Sequence, residues 1–243
     1  MIINLENLNG LPQEFIKRLN TFDGIFKSCN YFEEYESNTD IKQLTIKIDK
    51  FCQNNQIIGY HYTNAIKDDI LKNGLLVRTG EDIRIAFVER HFHLFTEEEQ
   101  ATILIAWKDY FGETAIQYRD SRIFFNFTLN GLQNQGADLL LNYYGGEQVY
   151  FPLYRLPQIG EKLKRMGTSM ILKCILTPNN IETFWGNPDL YNYPWGRIAI
   201  SSYHRLRNRD AYVEDQDGFQ RTDVKPENIE IIINESSSCR ATK

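Results

Sequence analysis

A glycine-bounded strand-to-helix junction constrains this chain more than any other stretch. Gly59-Tyr60-His61-Tyr62-Thr63 is short, aromatic and β-prone, and residues 64–76 follow it directly as one compact helical segment. Ile66, Ile70 and Leu71 give that helix an apolar stripe at i, i+4 and i+5, and Gly74 sits where a left-handed C-terminal cap belongs. Thr63 or Asn64 is expected to cap the first turn, with Asp68 and Asp69 near its positive end. The arrangement predicts a His61 side chain at the end of a strand, beside a helix start. Such a histidine is either packed or a ligand handle, and the rest of the chain must decide.

Composition narrows the class. A chain of 243 residues with 42% hydrophobic content buries a real core, read most simply as one large domain with an N-terminal addition. No apolar run approaches the ~20 residues that span a bilayer. The start, Met1-Ile2-Ile3-Asn4-Leu5-Glu6-Asn7, lacks the basic-then-apolar pattern of a secretion signal. Cys29, Cys52, Cys174 and Cys239 are scattered with no Cys-x-x-Cys pair, so a reducing, cytoplasmic setting is expected. A net charge of −5 argues against a generic nucleic-acid or membrane binder.

Residues 1–56 read as a helical extension, with helices over 12–19 and 41–51 flanking the acidic, aromatic Tyr31-Phe32-Glu33-Glu34-Tyr35-Glu36. The main body spans 57–234. Strands are expected at 83–88, 122–129, 146–151, 169–176, 219–224 and 228–233, the last two joined as a pair by Lys225-Pro226-Glu227. Thr96 and Glu99 form a capping box that opens a helix with Ile103, Leu104, Trp107 and Phe111 at helical spacing. A further helix covers 156–166 and ends at Gly167. Residues 235–243 read as a flexible polar tail. Strands and helices mix without βαβ alternation, and no Gly-x-Gly-x-x-Gly follows a strand, so the class is α+β.

Three short segments carry chemistry. They are His61-Tyr62-Thr63 with its helix and Gly74-Leu75; the Gly-flanked acid in Tyr144-Gly145-Gly146-Glu147-Gln148-Val149-Tyr150-Phe151; and the close Asp223-Val224-Lys225-Pro226-Glu227-Asn228-Ile229-Glu230-Ile231-Ile232. In combination they resemble the ADP-ribosyltransferase superfamily over roughly residues 57–234. The resemblance implies a split mixed or antiparallel β core and NAD as co-substrate, with no metal. It implies a protein or nucleic-acid acceptor, and the role of a toxin or antiviral defence effector. The aromatic N-terminal extension would then cover the cleft or dock a cognate inhibitor protein.

The resemblance assigns His61 and Thr63, with Tyr62 between them, to NAD, and Tyr150 to stacking on nicotinamide. A carboxylate must stabilise the positive charge that develops on the ribose. In the superfamily that acid lies on the strand before the final turn, where this chain has Gln220, with Asp217 and Glu214 displaced from it. Glu147 is favoured instead, because two preceding glycines let the backbone approach a ligand closely. Arg119 and Arg122 flank a strand start, and Arg122 would hold a pyrophosphate or, alternatively, a surface ion pair.

Other features point less far. His91 and His93 lie on one face of an expected extended segment, without a third metal ligand at a recognised spacing. His204-Arg205-Leu206-Arg207-Asn208-Arg209 is the densest basic run, either a phosphate contact or a charged loop. Asp215-x-Asp217-Gly218 fails as a calcium loop, since Val213 and Val224 hold its first and last positions. Two alternatives stand beside transfer chemistry: a non-catalytic nucleotide-binding or protein-interaction module of the same fold, and a metal-independent RNA-processing enzyme using His61 and His204.

Overall fold

The computed structural model of the protein describes residues 1–35, 37–111, 120–183, 193–212 and 217–233. The architecture is α+β, with one seven-stranded, mostly antiparallel open sheet and eleven α-helices among the described residues. The strands are β1 (Ile2–Ile3), β2 (Gln56–Ala65), β3 (Ile123–Asn126), β4 (Thr168–Leu176), β5 (Ile181–Thr183), β6 (Asp217–Gln220) and β7 (Ile229–Ile233). The helices are α1 (Gln13–Asn20), α2 (Asp23–Ser28), α3 (Thr39–Gln53), α4 (Lys67–Asn73), α5 (Gly80–His91), α6 (Glu97–Tyr110), α7 (Asn130–Gln133), α8 (Asp138–Asn142), α9 (Glu147–Tyr150), α10 (Pro157–Arg165) and α11 (Pro194–Arg207). The strand order is β5-β6-β3-β2-β4-β7, with β1 added in parallel to β2.

The chain divides into two units. One comprises Met1–Tyr60, Phe124–Asn134 and Cys174–Gln220; the other comprises the described parts of His61–Ile123, Gln135–Lys173 and Arg221–Lys243. Residues 1–56, expected as an extension, do carry α1 to α3, and they share the first unit with residues 174–220. The tail at 235–243 lies outside the described residues. No described helix is long and apolar enough to cross a membrane.

In the first unit α3 packs on α11. Asn38 caps α3 by accepting from the amides of Asp40 and Ile41, and Ile41, Leu44, Ile48 and Cys52 bury one helical stripe. Gly196 lets the helices approach closely, since a Cβ there would lie 2.1 Å from the Thr45 carbonyl. Tyr193, the residue before α11, provides no side-chain cap. The orphan amides of Trp195 and Gly196 instead donate to the Asp49 carboxylate of α3, at 2.9 and 3.2 Å.

Several strand expectations give way to helix. Residues 83–88 form a short apolar run like a strand, but Thr79 and Asp82 form a complete capping box and start α5, which buries Gly80, Phe87 and His91. Residues 146–151 form α9 and a following turn, because Gly145 and Gly146 both take positive φ and send the chain round. The strand β2 runs through Ala65, so Thr63 and Asn64 pair within the sheet and do not cap α4. Leu71 is 55% exposed and adds nothing to an apolar stripe. The expected pair at 219–224 and 228–233 does not form: β6 borders β5 and β3, while β7 borders β4. By contrast, the Thr96–Glu99 capping box, the helix ending before Gly167 and the strand over 169–176 all appear as expected.

Burial pushes the Asp49 carboxyl up to about 6, against the lowering pull of its two amide donors. Folding therefore takes up a proton between about pH 4 and 6, and the stability this contributes is lost as pH rises through that window. At about 1.4 kcal/mol per pKa unit the loss is about 3 kcal/mol. Asp49→Asn keeps an acceptor for both amides and cannot titrate. Thermal melts between pH 4 and 7 should show wild type losing stability relative to Asp49→Asn as pH rises.

Candidate functional site

The second unit brings together the segments that carry the sequence signals. Along β2, His61 and Thr63 share one face of the strand while Tyr62 and Asn64 share the other. His61 is half-buried; Tyr62 and Thr63 are buried. Asn64 forms the junction to the Gly-Gly-Glu segment. Its carbonyl accepts from the Gly145 amide at 3.1 Å, it forms a parallel bridge with Tyr144, and its side-chain amide donates to the Asn142 carbonyl at 3.3 Å. Gly145 (φ 89°) and Gly146 (φ 70°) then turn the chain so that Glu147 opens α9. Among the described residues, a Cβ on Gly146 would meet nothing within 4 Å, so none of them crowds the backbone just before Glu147.

The helix α5 grips this turn at two points. Near its start, Arg84 donates to the Gln148 side-chain carbonyl at 2.8 Å, with its guanidinium 4.5 Å from the Phe111 ring centroid. Gly80 makes room for that contact, since a Cβ there would lie 2.2 Å from the Gln148 oxygen. At its end, His91 Nε2 is 2.9 Å from the Tyr144 hydroxyl, and the two rings meet edge-on at 4.8 Å. Burial lowers the basicity of His91, reinforced by Arg90 and His93, which favours the neutral imidazole. Burial likewise raises the Tyr144 phenol, which therefore keeps its proton. Arg90 is paired with Asp69 of α4.

The third signal docks on the same unit. Leu75 and Val224 exchange backbone hydrogen bonds at 2.9 Å each way, and the Val77 amide donates to Asp223 at 2.7 Å. Gly74, with φ 72° and ψ −155°, permits this contact: a Cβ there would lie 2.0 Å from the Val224 carbonyl. The Gly145–Glu147 turn is thus joined to the end of the His61–Thr63 strand, and the Val224–Pro226 close to the C-terminal end of α4, the helix that follows that strand.

Other candidates fall elsewhere. Tyr150 is 1% exposed, packed with Tyr143, Val149 and Leu153 in the aromatic core of this unit. Its ring is covered by protein and presents no face to solvent. Arg122 is half-buried just before β3. Gln220 is 4% exposed on β6 opposite Ile181, and it belongs with Asp217 to the first unit. Arg119, Glu214 and Asp215 lie outside the described residues.

The basic run at 204–209 is largely structural. His204 has Nε2 donating to the Cys29 carbonyl at 2.8 Å and Nδ1 accepting from the Tyr35 hydroxyl at 3.0 Å, so neither nitrogen is left for phosphate. Arg207 contacts Asn20, Asp23 and Tyr203, and Arg205 binds the carbonyls of Arg209 and Ala211. His91 and His93 sit at a helix end, not on an extended segment, and no group of three or more metal-ligating side chains occurs among the described residues.

Sequence reasoning singled out His91 only as a metal candidate and missed its contact with Tyr144. The signal was the helical phase of Arg84, Phe87 and His91, hidden by the short apolar run at 83–88. Comparisons with family models, curated proteins and solved structures find no match to this chain.

Gly74→Ala should be strongly destabilising, because it forces a backbone conformation open mainly to glycine and drives a methyl into Val224. The expected cost is about 3 kcal/mol or more, from strain plus overpacking. It would be read as a lowered thermal midpoint and faster amide exchange at Leu75 and Val224.

Proposed function

We propose that this chain is an NAD-dependent ADP-ribosyltransferase whose carboxylate is Glu147. The observation that carries the reading is the Gly145 amide bonded to the Asn64 carbonyl. It ties the Gly-Gly-Glu turn to the strand bearing His61 and Thr63, two segments linked in sequence only by their shared resemblance to that superfamily. Leu75 paired with Val224 adds the third segment of the same resemblance.

The chemistry asks for few groups. The bond between ribose C1′ and the nicotinamide nitrogen breaks, its electron pair leaves with nicotinamide, and an acceptor nucleophile bonds to C1′ and loses its proton. Positive charge builds on the ribose, and a fixed carboxylate lowers the energy of that state. Glu147 would supply it from beside Gly146, whose backbone no described residue crowds. His61 and Thr63, on one face of β2, would orient the ribose by hydrogen bonding. Because Tyr150 is enclosed in the core, stacking on nicotinamide would have to come from another ring. The acceptor is a protein or a nucleic acid, in a toxin or defence role.

One observation favours a second reading. Gln220 stands where the superfamily carries its acid, and it is buried on β6. A chain that has lost that acid would bind nucleotide without turnover.

Incubation with NAD and mixed protein and nucleic-acid acceptors distinguishes these. Transfer predicts nicotinamide release that falls about 100-fold or more in Glu147→Gln and about 10-fold or more in His61→Ala. NAD binding without release would establish the binding module. RNA cleavage without NAD, or full activity in Glu147→Gln, would overturn the assignment.

A further inference from the structure

We propose that Tyr144, held by His91, is a positioning residue for Glu147, so that α5 fixes the carboxylate by gripping both sides of the glycine turn. The functional part of this rests on the reading of Glu147 given above. Two consecutive glycines precede Glu147, and neither has a side chain with which to anchor the chain. A glycine pair samples more backbone conformations than any other dipeptide, so the turn needs anchors on either side. On the C-terminal side these are Gln148 on Arg84, at 2.8 Å, and Val149 in the core. On the N-terminal side the side-chain anchor is Tyr144, whose hydroxyl meets His91 Nε2 at 2.9 Å. The Tyr144 amide also donates to the Leu163 carbonyl, and the Gly145 amide donates to Asn64. Tyr144 therefore sits at the point where the turn leaves the sheet.

The contact suits a rigid function. His91 is 8% exposed at the last residue of α5, and its ring packs against Phe87 as well as Tyr144. The charged groups around the pair are Arg90 and His93 on the same stretch of chain, Asp69 from α4, and Arg78 ahead of α5. Arg90 already engages Asp69, so a proton on His91 would add a cation without a new counter-charge. The neutral imidazole is the form that fits, and the grip should hold across neutral pH.

Hydrogen exchange and steady-state kinetics on the full chain test this with Tyr144→Phe, His91→Leu and His91→Gln. Gln places an amide nitrogen near the position of His Nε2. Tyr144→Phe and His91→Leu should speed amide exchange in residues 145–148 by about 10-fold or more, with β4 unaffected. They should lower kcat for nicotinamide release about 10-fold or more while KM for NAD changes by less than about 3-fold. His91→Gln should restore both. Unchanged exchange, a lowered melting temperature with normal kcat, or a His91→Gln that behaves like His91→Leu would overturn the proposal. Should His91→Leu fail to fold, Tyr144→Phe keeps the ring packing and decides. If wild type itself releases no nicotinamide, the enzymatic reading fails, and the grip stands or falls on exchange alone.

Discussion

One backbone hydrogen bond, from the Gly145 amide to the Asn64 carbonyl, organises the second unit. It is made at the end of a ten-residue strand, where the chain is about to leave the sheet for α4. Without that bond, and the bridge between Asn64 and Tyr144, the turn before α9 would have no fixed relation to the strand that bears His61. Sheet pairing is strong and directional, so it sets the turn to within a hydrogen bond's tolerance. Gly167 is part of the same joint. It has φ 70°, and a Cβ there would press within 2.5 Å of the Asn64 side-chain oxygen and 2.9 Å of the Ala65 carbonyl. Gly145, where a Cβ would press on the Val149 side chain at 2.8 Å, and Gly167 thus permit close packing where β2 ends, while Gly146 supplies the turn.

The first unit uses buried polar groups for a comparable purpose. Asp49 supplies the amides of α11 with an acceptor that its own N-terminus lacks. His204 is sealed between Tyr35 and the Cys29 carbonyl, and Tyr203 lies 2.6 Å from Asn20 and 2.5 Å from Asp23. Each of these polar atoms is satisfied, which is the condition under which burial fixes geometry at modest cost. It also explains why a conspicuous basic sequence at 204–209 need not signal a polyanion. Arginines in the last turn of a helix find carbonyls, carboxylates and rings close by, and here Arg205 and Arg207 do.

How much of this was legible depended on whether the deciding interaction was local. The Thr96–Glu99 box, the stop at Gly167 and the strand over 169–176 rest on neighbours in sequence, and all three appear. Residues 83–88 misled because a short, mostly apolar run satisfies a strand as well as a short part of a helix. The capping box at Thr79 and Asp82 lay outside that window and settled the matter. Tyr150 misled for a different reason. Next to a Gly-Gly-acid motif it looked like a stacking ring, yet it is buried in a cluster with Tyr143, Val149 and Leu153 that draws on the following α10 and on α6, about 40 residues upstream. The His91–Tyr144 contact joins residues 53 positions apart and had no local sign. The two pairings, of the glycine turn with β2 and of the Val224 close with the end of α4, were likewise beyond pattern, since each of their bonds is long-range.

A carboxylate that must stabilise a fleeting cation has two conflicting needs. Its backbone must let a ligand come close, which favours glycine, and its position must be fixed, which glycine opposes. In the transfer reaction proposed above, the segment around Glu147 would meet both by separating them. Gly145 and Gly146 supply the approach, and the rigidity comes from α5 through Arg84 on one side and His91 on the other. A twelve-residue helix closed by its own capping box makes a stiff brace, and its two contacts lie seven residues apart, about 10 Å along the axis. Ordinary loop carboxylates sit on mobile chain at little cost, whereas here one half-buried acid has a brace on each side of it.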